Sequence, residues 1–409
     1  MSSGRGSGGS AGMPRHVLPG LWSSLLEQDL ADTRGAHLNR SRLIVRAIDA
    51  THVEIAGKRF VNFSSNNYLG LTHHPDVIAA AAQCIARDGM GSGAAPLISG
   101  CTPVHASLEK KLARWKGVES AVLLSSGYQA NLAAVQSIAA VARDRGGVRF
   151  LLDKLCHASL IDAVRAAGSS FRIFPHNHLG KLRRLLVEAD AGQVQVVVTE
   201  SIFSMDGDAA DMAGIAKLRR EFTFVWFLDE AHASGVYGPH GNGLAAEMGI
   251  SDLVDIQIVT LSKALGSIGG AICARAAFCD AVVNHGRAFI FSTSLPAAAA
   301  AAAEAAIEVV IREPQRRQRL RDMAARVRKE LAMTGDSPVI PIILGNETAA
   351  LDGAAALRGQ GMLAIAVRPP TVPRGSSRLR VTLSSEHRDE EISGLIAALK
   401  QLCQVNQPK

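Results

Sequence analysis

The stretch Val194-Gln-Val-Val-Val-Thr-Glu200, answered further on by Thr223-Phe-Val-Trp-Phe-Leu-Asp229, decides the fold. Each is an apolar run of strand length that ends on an acid. Consecutive valines leave no polar face, so such a strand must be covered on both sides. Residues 211–220, between the two runs, are long enough for a helix. Strand, helix, strand in that order is the repeating unit of a mainly parallel sheet.

Working outward, the same alternation extends from Ser120 to about Arg275. Strands are predicted at 121–125, 149–153, 171–175, 194–200, 223–229, 255–261 and 270–275, with helices such as 159–167 between them. After Pro296 the pattern changes. One long helix is followed by a strand at 339–344, a helix over 349–358, strands at 363–367 and 379–383, and a last helix from about 389 to 403. The expected fold class is therefore α/β, a large domain with a mainly parallel sheet plus a smaller C-terminal α+β domain. The expected division is a disordered, Gly- and Ser-rich tail at 1–18, an N-terminal segment at 19–58, a large domain at 59–296 and a small domain at 297–409.

Composition narrows the functions. The chain has 409 residues, 47% of them hydrophobic and 20% charged, as in globular proteins that fold in water. A length of this kind divides more readily into two lobes than one core. The formal net charge of +7 suits an anionic ligand such as a phosphate or a coenzyme A, or simply a basic surface. The Lys and Arg residues form no long run and aromatics are only 4%, so nucleic-acid binding is not indicated. The six cysteines never form a C-x-x-C pair, which gives no metal or redox motif and fits a reducing, cytoplasmic setting. The alanine run after Pro296 meets Glu304 and Glu308 well before membrane-spanning length.

Ligands of open parallel sheets sit beyond the carboxyl ends of the strands. Polar residues gather at those ends here. The first strand runs into Ser125-Ser-Gly-Tyr128, a small-residue turn that opens a helix, and helix N-terminal amides bind phosphate. The second ends at Asp153, with His157 beyond it. Ser201 and Ser204 follow Glu200, and Asp229 begins Asp229-Glu-Ala-His232. The sixth leads into Ser262-Lys-Ala-Leu-Gly266. Singly, Asp229 reads as a helix cap, His157 as a surface histidine and Lys263 as an exposed lysine. An acid, a lysine, two histidines and a phosphate-type turn on one sheet edge point elsewhere. That set is what pyridoxal phosphate requires, namely a lysine for its aldehyde, an acid for its ring nitrogen and a cradle for its phosphate. Two look-alikes fall away. Asp229–His232 spells a helicase motif, but no Gly-Lys-Ser/Thr occurs in the chain. His176-Asn-His178 spells a nuclease motif with no metal-binding set around it, and reads as a loop.

The residues resemble the α-oxoamine synthases of the aspartate-aminotransferase-like fold. The matching pieces, in family order, are Asn62-Phe-Ser-Ser-Asn-Asn-Tyr-Leu-Gly-Leu71, Ser125–Tyr128, His157-Ala-Ser-Leu160, Ser204-Met-Asp-Gly-Asp208, Asp229–His232, Thr260-Leu-Ser-Lys-Ala-Leu-Gly266 and Phe291-Ser-Thr-Ser-Leu-Pro296. Within the family, Arg368-Pro-Pro-Thr-Val-Pro373 with Arg378-Leu-Arg-Val-Thr382 resembles the biotin-forming branch, which joins L-alanine to a pimeloyl thioester. Glycine- or serine-using acyltransferases of the family are the alternative, and a cofactor-binding relative without activity is another. Two departures stand out. Gly91-Ser-Gly-Ala-Ala-Pro96 replaces a more common Gly-Ser-Gly-Gly-Ser, which bears on acyl-donor preference, and Asn67 stands where Asp is common.

The resemblance implies roles. Lys263 holds the cofactor as a Schiff base and then serves as base. Asp229 keeps the ring nitrogen protonated, and His157 stacks on one ring face with Ala231 against the other. His232 and Ser204 reach the phenolic oxygen. Gly127, Tyr128 and Thr260 hold the phosphate. Ser292 or Thr293 completes that site from a neighbouring subunit, making a homodimer with shared active sites. Asn66, Arg40, Arg368, Thr371 and Arg380 are the expected substrate contacts, with Arg380 the carboxylate clamp.

Overall fold

The computed structural model describes residues 20–405. The expected tail at 1–18 lies outside them. At the centre is a seven-stranded sheet, in the spatial order Ser120–Leu124, Gly270–Ala274, Ile256–Thr260, Val225–Asp229, Val194–Glu200, Val148–Asp153, Ser170–Phe174. Gly270–Ala274 is antiparallel to both of its neighbours, and the other four pairings are parallel. Six strands therefore point one way, and their carboxyl ends form one edge.

The valine run explains itself in this sheet. Val196 and Val198 pack into a core with Ala130, Leu160 and Cys279 on one face. Val197, between them, packs into a larger core with Leu108, Leu182, Met212 and Ala300 on the other. All three valines are fully buried. At ~1.5–3 kcal/mol for each fully buried side chain of this size, the two faces hold the sheet against the helices that cover it.

Beyond Pro296 the smaller domain is built on an antiparallel sheet ordered Val339–Gly345, Ser377–Thr382, Ile365–Val367. Two expectations change here. The single long helix is two, Ala297–Arg312 and Pro314–Glu330. Pro314 has no N–H to continue the first helix, and its fixed φ suits the start of the second. The strand expected at 363–367 is also two, Met362–Leu363 and Ile365–Val367, which belong to different sheets. Met362–Leu363 pairs in parallel with Lys58–Asn62, the second arm of a hairpin whose first arm is His52–Ile55. The hairpin turns on Ala56 and Gly57, both at positive φ (49° and 76°). Residues near the start of the chain are thus stitched to the C-terminal domain. Among the described residues, no helix is long and apolar enough to cross a membrane.

The small domain reaches the sheet edge through three arginines. Arg380 Nε donates to the Ser204 carbonyl at 2.6 Å, and Arg378 Nη1 to the Met205 carbonyl at 3.3 Å and to Asp206 Oδ1 at 2.6 Å. Arg328 Nη2 donates to the Gly207 carbonyl at 3.1 Å. Arg328 is buried and bonded to carbonyls alone, including those of Thr334 at 2.8 Å and Ser337 at 3.1 Å. Gly207 must be glycine, since φ is +64° and a Cβ would stand 2.0 Å from the Val339 carbonyl oxygen.

Candidate active site

Strand geometry fixes the first pair. Glu200 and Asp229 are the last residues of adjacent parallel strands and are in register. Both are buried. Asp229 Oδ2 accepts from Asn131 Nδ2 at 3.0 Å and Oδ1 from the Ala231 amide at 2.9 Å. The other proton of Asn131 Nδ2 goes to Ser159 Oγ at 2.9 Å. Ser159 Oγ in turn lies 2.8 Å from His157 Nδ1. The Ser159 amide donates to His157 Nδ1 at 3.2 Å, so that nitrogen carries no proton and the Ser159 hydroxyl donates to it as well. The ring of His157 is held with this nitrogen bare, and the residue as a whole is exposed. Partial burial depresses its pKa, the Lys263 charge adds to that, and Asp229 opposes it.

Glu200 accepts the His157 amide at 2.5 Å. Burial raises its pKa to about 8, with the Asp229 charge next in importance, while Lys263 and amide donors pull it down. Burial likewise lowers the Lys263 amine to about 8, with Arg380 adding to the effect and Asp229 and Glu200 opposing it. Lys263 Nζ lies 2.9 Å from His232 Nε2. His232 is buried, and burial followed by the charges of Lys263, Arg380 and His157 holds its pKa well below the ordinary value. Its Nδ1 lies 2.7 Å from the Tyr68 hydroxyl, which is 3.1 Å from Asn66 Oδ1. Arg380 Nη1 donates to that same Asn66 oxygen at 3.1 Å. Lys263, His232, Asn66, Arg380 and the Ser204 carbonyl are therefore joined in one hydrogen-bonded chain.

The third group is the turn after Leu124. Ser126 caps the helix Gly127–Ala142, its Oγ accepting from the Gln129 amide at 3.2 Å. The first amides of a helix have no partner inside it, so those of Gly127 and Tyr128 remain to meet an anion. A Cβ on Gly127 would stand 2.4 Å from Thr260 Oγ1, so only glycine lets the Thr260 hydroxyl approach the helix start. The Tyr128 side chain points its hydroxyl to Asp162 at 2.7 Å. Ser292 and Thr293 lie against the same turn in the same chain. Gln129 Nε2 donates to Ser292 Oγ at 3.2 Å, and Ser125 Oγ to the Thr293 carbonyl at 2.8 Å. The loop that departs from the common family form is sewn onto this segment, with Ser92 Oγ donating to the Leu295 carbonyl at 2.6 Å and the Ser294 amide to that of Ala94 at 3.0 Å.

The remaining expected contacts form a separate cluster. Arg40 Nη2 donates to the Pro369 carbonyl at 3.1 Å, and Arg368 to the carbonyls of Asn39, at 2.9 Å, and His37. The two guanidinium groups repel each other, and Thr371 is exposed beside them. Sequence reasoning missed Tyr68, Asn131, Ser159 and Glu200 as members of the site. Asn131 had a signal, since it lies one helical turn beyond Gly127 and so on the same side.

A family model described as aminotransferase class I and II matches residues 58–399. An 8-amino-7-oxononanoate synthase of Anaeromyxobacter sp. (strain K) is 43% identical over 379 residues, covering 91% of this chain and 93% of that one. Among solved structures, a serine palmitoyltransferase variant from S. paucimobilis with a bound PLP–myriocin aldimine superposes with a TM-score of 0.86 at 26% identity, covering 94% of this chain and 97% of that one. An 8-amino-7-oxononanoate synthase from Francisella tularensis superposes with a TM-score of 0.72 at 23% identity, covering 85% and 98%. Sequence and shape thus lean toward different relatives. Backbone similarity reports the fold, which hosts several substrates, whereas identity at 43% extends to side chains.

Proposed function

The chain belongs to the aminotransferase class I and II family, whose cofactor here is pyridoxal phosphate, and from that premise we propose that it condenses L-alanine with a pimeloyl thioester. The products are 8-amino-7-oxononanoate, carbon dioxide and the free thiol of coenzyme A or an acyl carrier protein. The fold is the aspartate-aminotransferase-like one expected. The observation that carries the reading is that Lys263 and Arg380 belong to one hydrogen-bonded chain, an amine of lowered basicity at one end and a guanidinium at the other.

The residues suit the cofactor. Lys263 has the lowered pKa of an amine that attacks aldehydes. Asp229 is buried and oriented by two donors. The Gly127–Thr260 approach makes a cradle that a Cβ would fill. When bound, pyridoxal phosphate supplies a conjugated ring that accepts the electron pair left at the amino-acid Cα. Lys263 would hold it, Asp229 would face its ring nitrogen, and His157 and Ala231 would flank the ring. Ser204 and His232 would reach the phenolic oxygen, while Gly127, Tyr128 and Thr260, with Ser292 or Thr293, would hold the phosphate.

The chain's own groups then do the proton work. Lys263 would take a proton from the amino-acid Cα, and a pKa near 8 makes it a usable base at neutral pH. The acceptors that fix Arg380 are a carbonyl and an amide oxygen, both neutral, so its charge remains available to an alanine carboxylate, with Asn66 beside it. Arg40, Arg368 and Thr371 would serve the acyl side.

A homodimer with shared active sites, working in the cytoplasm, belongs to the same proposal. Phe291, beside Ser292, is 70% exposed and Ile98 is 80% exposed, apolar surface that a second copy would cover. The likeness to a serine palmitoyltransferase favours a second reading, an acyltransferase that uses serine or glycine. Thiol release, measured for alanine, glycine and serine against pimeloyl-, acetyl- and palmitoyl-CoA, separates the two. Alanine with the pimeloyl donor should give the highest kcat/KM. If serine with palmitoyl-CoA or glycine with acetyl-CoA is faster, the second reading holds.

A further inference from the structure

The polarity of the chain that ends at Lys263 follows from its members. Arg380 carries only donors, so the atom of Asn66 that it meets is the amide oxygen. The Tyr68 hydroxyl faces that same oxygen and must donate to it. Tyr68 then has only a lone pair left for His232 Nδ1, 2.7 Å away, so Nδ1 carries the ring proton. His232 is buried among Lys263, Arg380 and His157, whose charges oppose a second proton on the ring. Its Nε2 is therefore bare and accepts an N–H from Lys263 at 2.9 Å.

We propose that Tyr68 is a positioning residue which, with Asn66 fixed by Arg380, holds His232 in its Nδ1–H tautomer and turns the Nε2 lone pair toward Lys263. An N–H of Lys263 is then committed to His232, and the lone pair of the neutral amine points away from the ring. In the opposite tautomer, Nε2–H would donate to that lone pair and block it. Tyr68 is fully buried with no water-facing alternative for its hydroxyl. Without that oxygen, the Nδ1 proton would lose its acceptor in a buried site, and the ring would shift to Nε2–H. The role of Tyr68 in turnover rests on the condensation proposed above, but the tautomer does not.

Histidine 15N shifts of the selectively labelled protein, without added cofactor, read the tautomer directly. The wild type should show Nδ1–H at His232. Tyr68→Phe and Asn66→Leu should both show Nε2–H, the second because Tyr68, losing its acceptor, turns its proton to Nδ1. Asn66→Asp still accepts from Arg380 and Tyr68 and should keep Nδ1–H. Nε2–H in the wild type overturns the proposal, as does one tautomer shared by Asn66→Leu and Asn66→Asp. If Tyr68→Phe does not fold, the two variants at the part-exposed Asn66 still decide. Failure of thiol release with the expected tautomers would refute the condensation and leave the positioning role intact.

Discussion

Glu200 and Asp229 end neighbouring parallel strands in register, so two buried carboxyl groups share one sheet edge. Asp229 is held by two donors, while burial, and after it the charge of Asp229, raises the pKa of Glu200 to about 8. A carboxyl with a raised folded-state pKa binds a proton that the unfolded chain has already lost. Stability therefore falls as pH rises from about 4.5 toward 8. Glu200→Gln removes that dependence. Thermal unfolding of the apoprotein between pH 5 and 9 should show the variant gaining on the wild type as pH rises, by ~1–3 kcal/mol at pH 8. A constant difference across the range would mean that Glu200 titrates normally.

Lys263 gives a chemical test. With its pKa near 8, it should react with an amine-directed reagent in the apoprotein well below the pH at which surface lysines react. After cofactor is added, borohydride should fix it to Lys263, and peptide mass spectrometry should find the adduct there. An adduct on another lysine refutes the assignment.

Asp229→Asn should keep the shape while removing the charge and one of the two acceptor oxygens, since an amide NH2 cannot accept from Asn131 or Ala231. Cofactor absorbance should persist, and turnover should fall by ~10²–10³-fold, the scale of losing one partner from a buried charge pair. Near-normal turnover would leave Asp229 as no more than a cap for the residues that follow it.

The sequence was most legible where physics is local. The seven strands of the main sheet were readable because buried apolar runs have no other use, and Lys263, Asp229 and His157 were readable because they follow those runs. Tyr68 was not, since it meets His232 across 164 positions and a loop tyrosine has no periodic signal. The Ala56-Gly57 turn was hidden because alanine seldom adopts positive φ. Pro314 did carry a signal, since a proline within a helical pattern ends the helix before it.

His176, which looked like part of a nuclease motif, is a staple. Its Nδ1 lies 2.9 Å from Asp153 Oδ1 and its Nε2 2.7 Å from Asp208 Oδ2. Burial works to lower its pKa, but the hydrogen bonds and charges of the two aspartates outweigh that and raise it to about 10. A raised histidine pKa contributes stability that is complete below the unfolded value of about 6.5 and is lost as pH rises through about 10. His176→Gln should therefore cost ~2–3 kcal/mol at pH 6, after allowing for partial exposure, and much less near pH 10.5. Chemical denaturation at the two pH values checks it.

Whether one chain or two build each phosphate cradle is settled by mixing. Lys263→Ala and Ser292→Ala/Thr293→Ala subunits are each expected to be inactive alone. If Ser292 and Thr293 act on the partner, one site of each mixed dimer carries both lesions and the other carries neither. Mixed dimers are half of a random population, so activity should recover to about a quarter of wild type. If each chain builds its own cradle, every site retains one lesion. The contacts of Ser292 with Gln129 and of Thr293 with Ser125 in the same chain are compatible with that second arrangement. Phe291, 70% exposed beside them, favours the first, because an apolar ring next to a catalytic turn is best covered by another subunit. Recovery on mixing is the expected result, and no recovery after proven subunit exchange would assign the whole cradle to one chain.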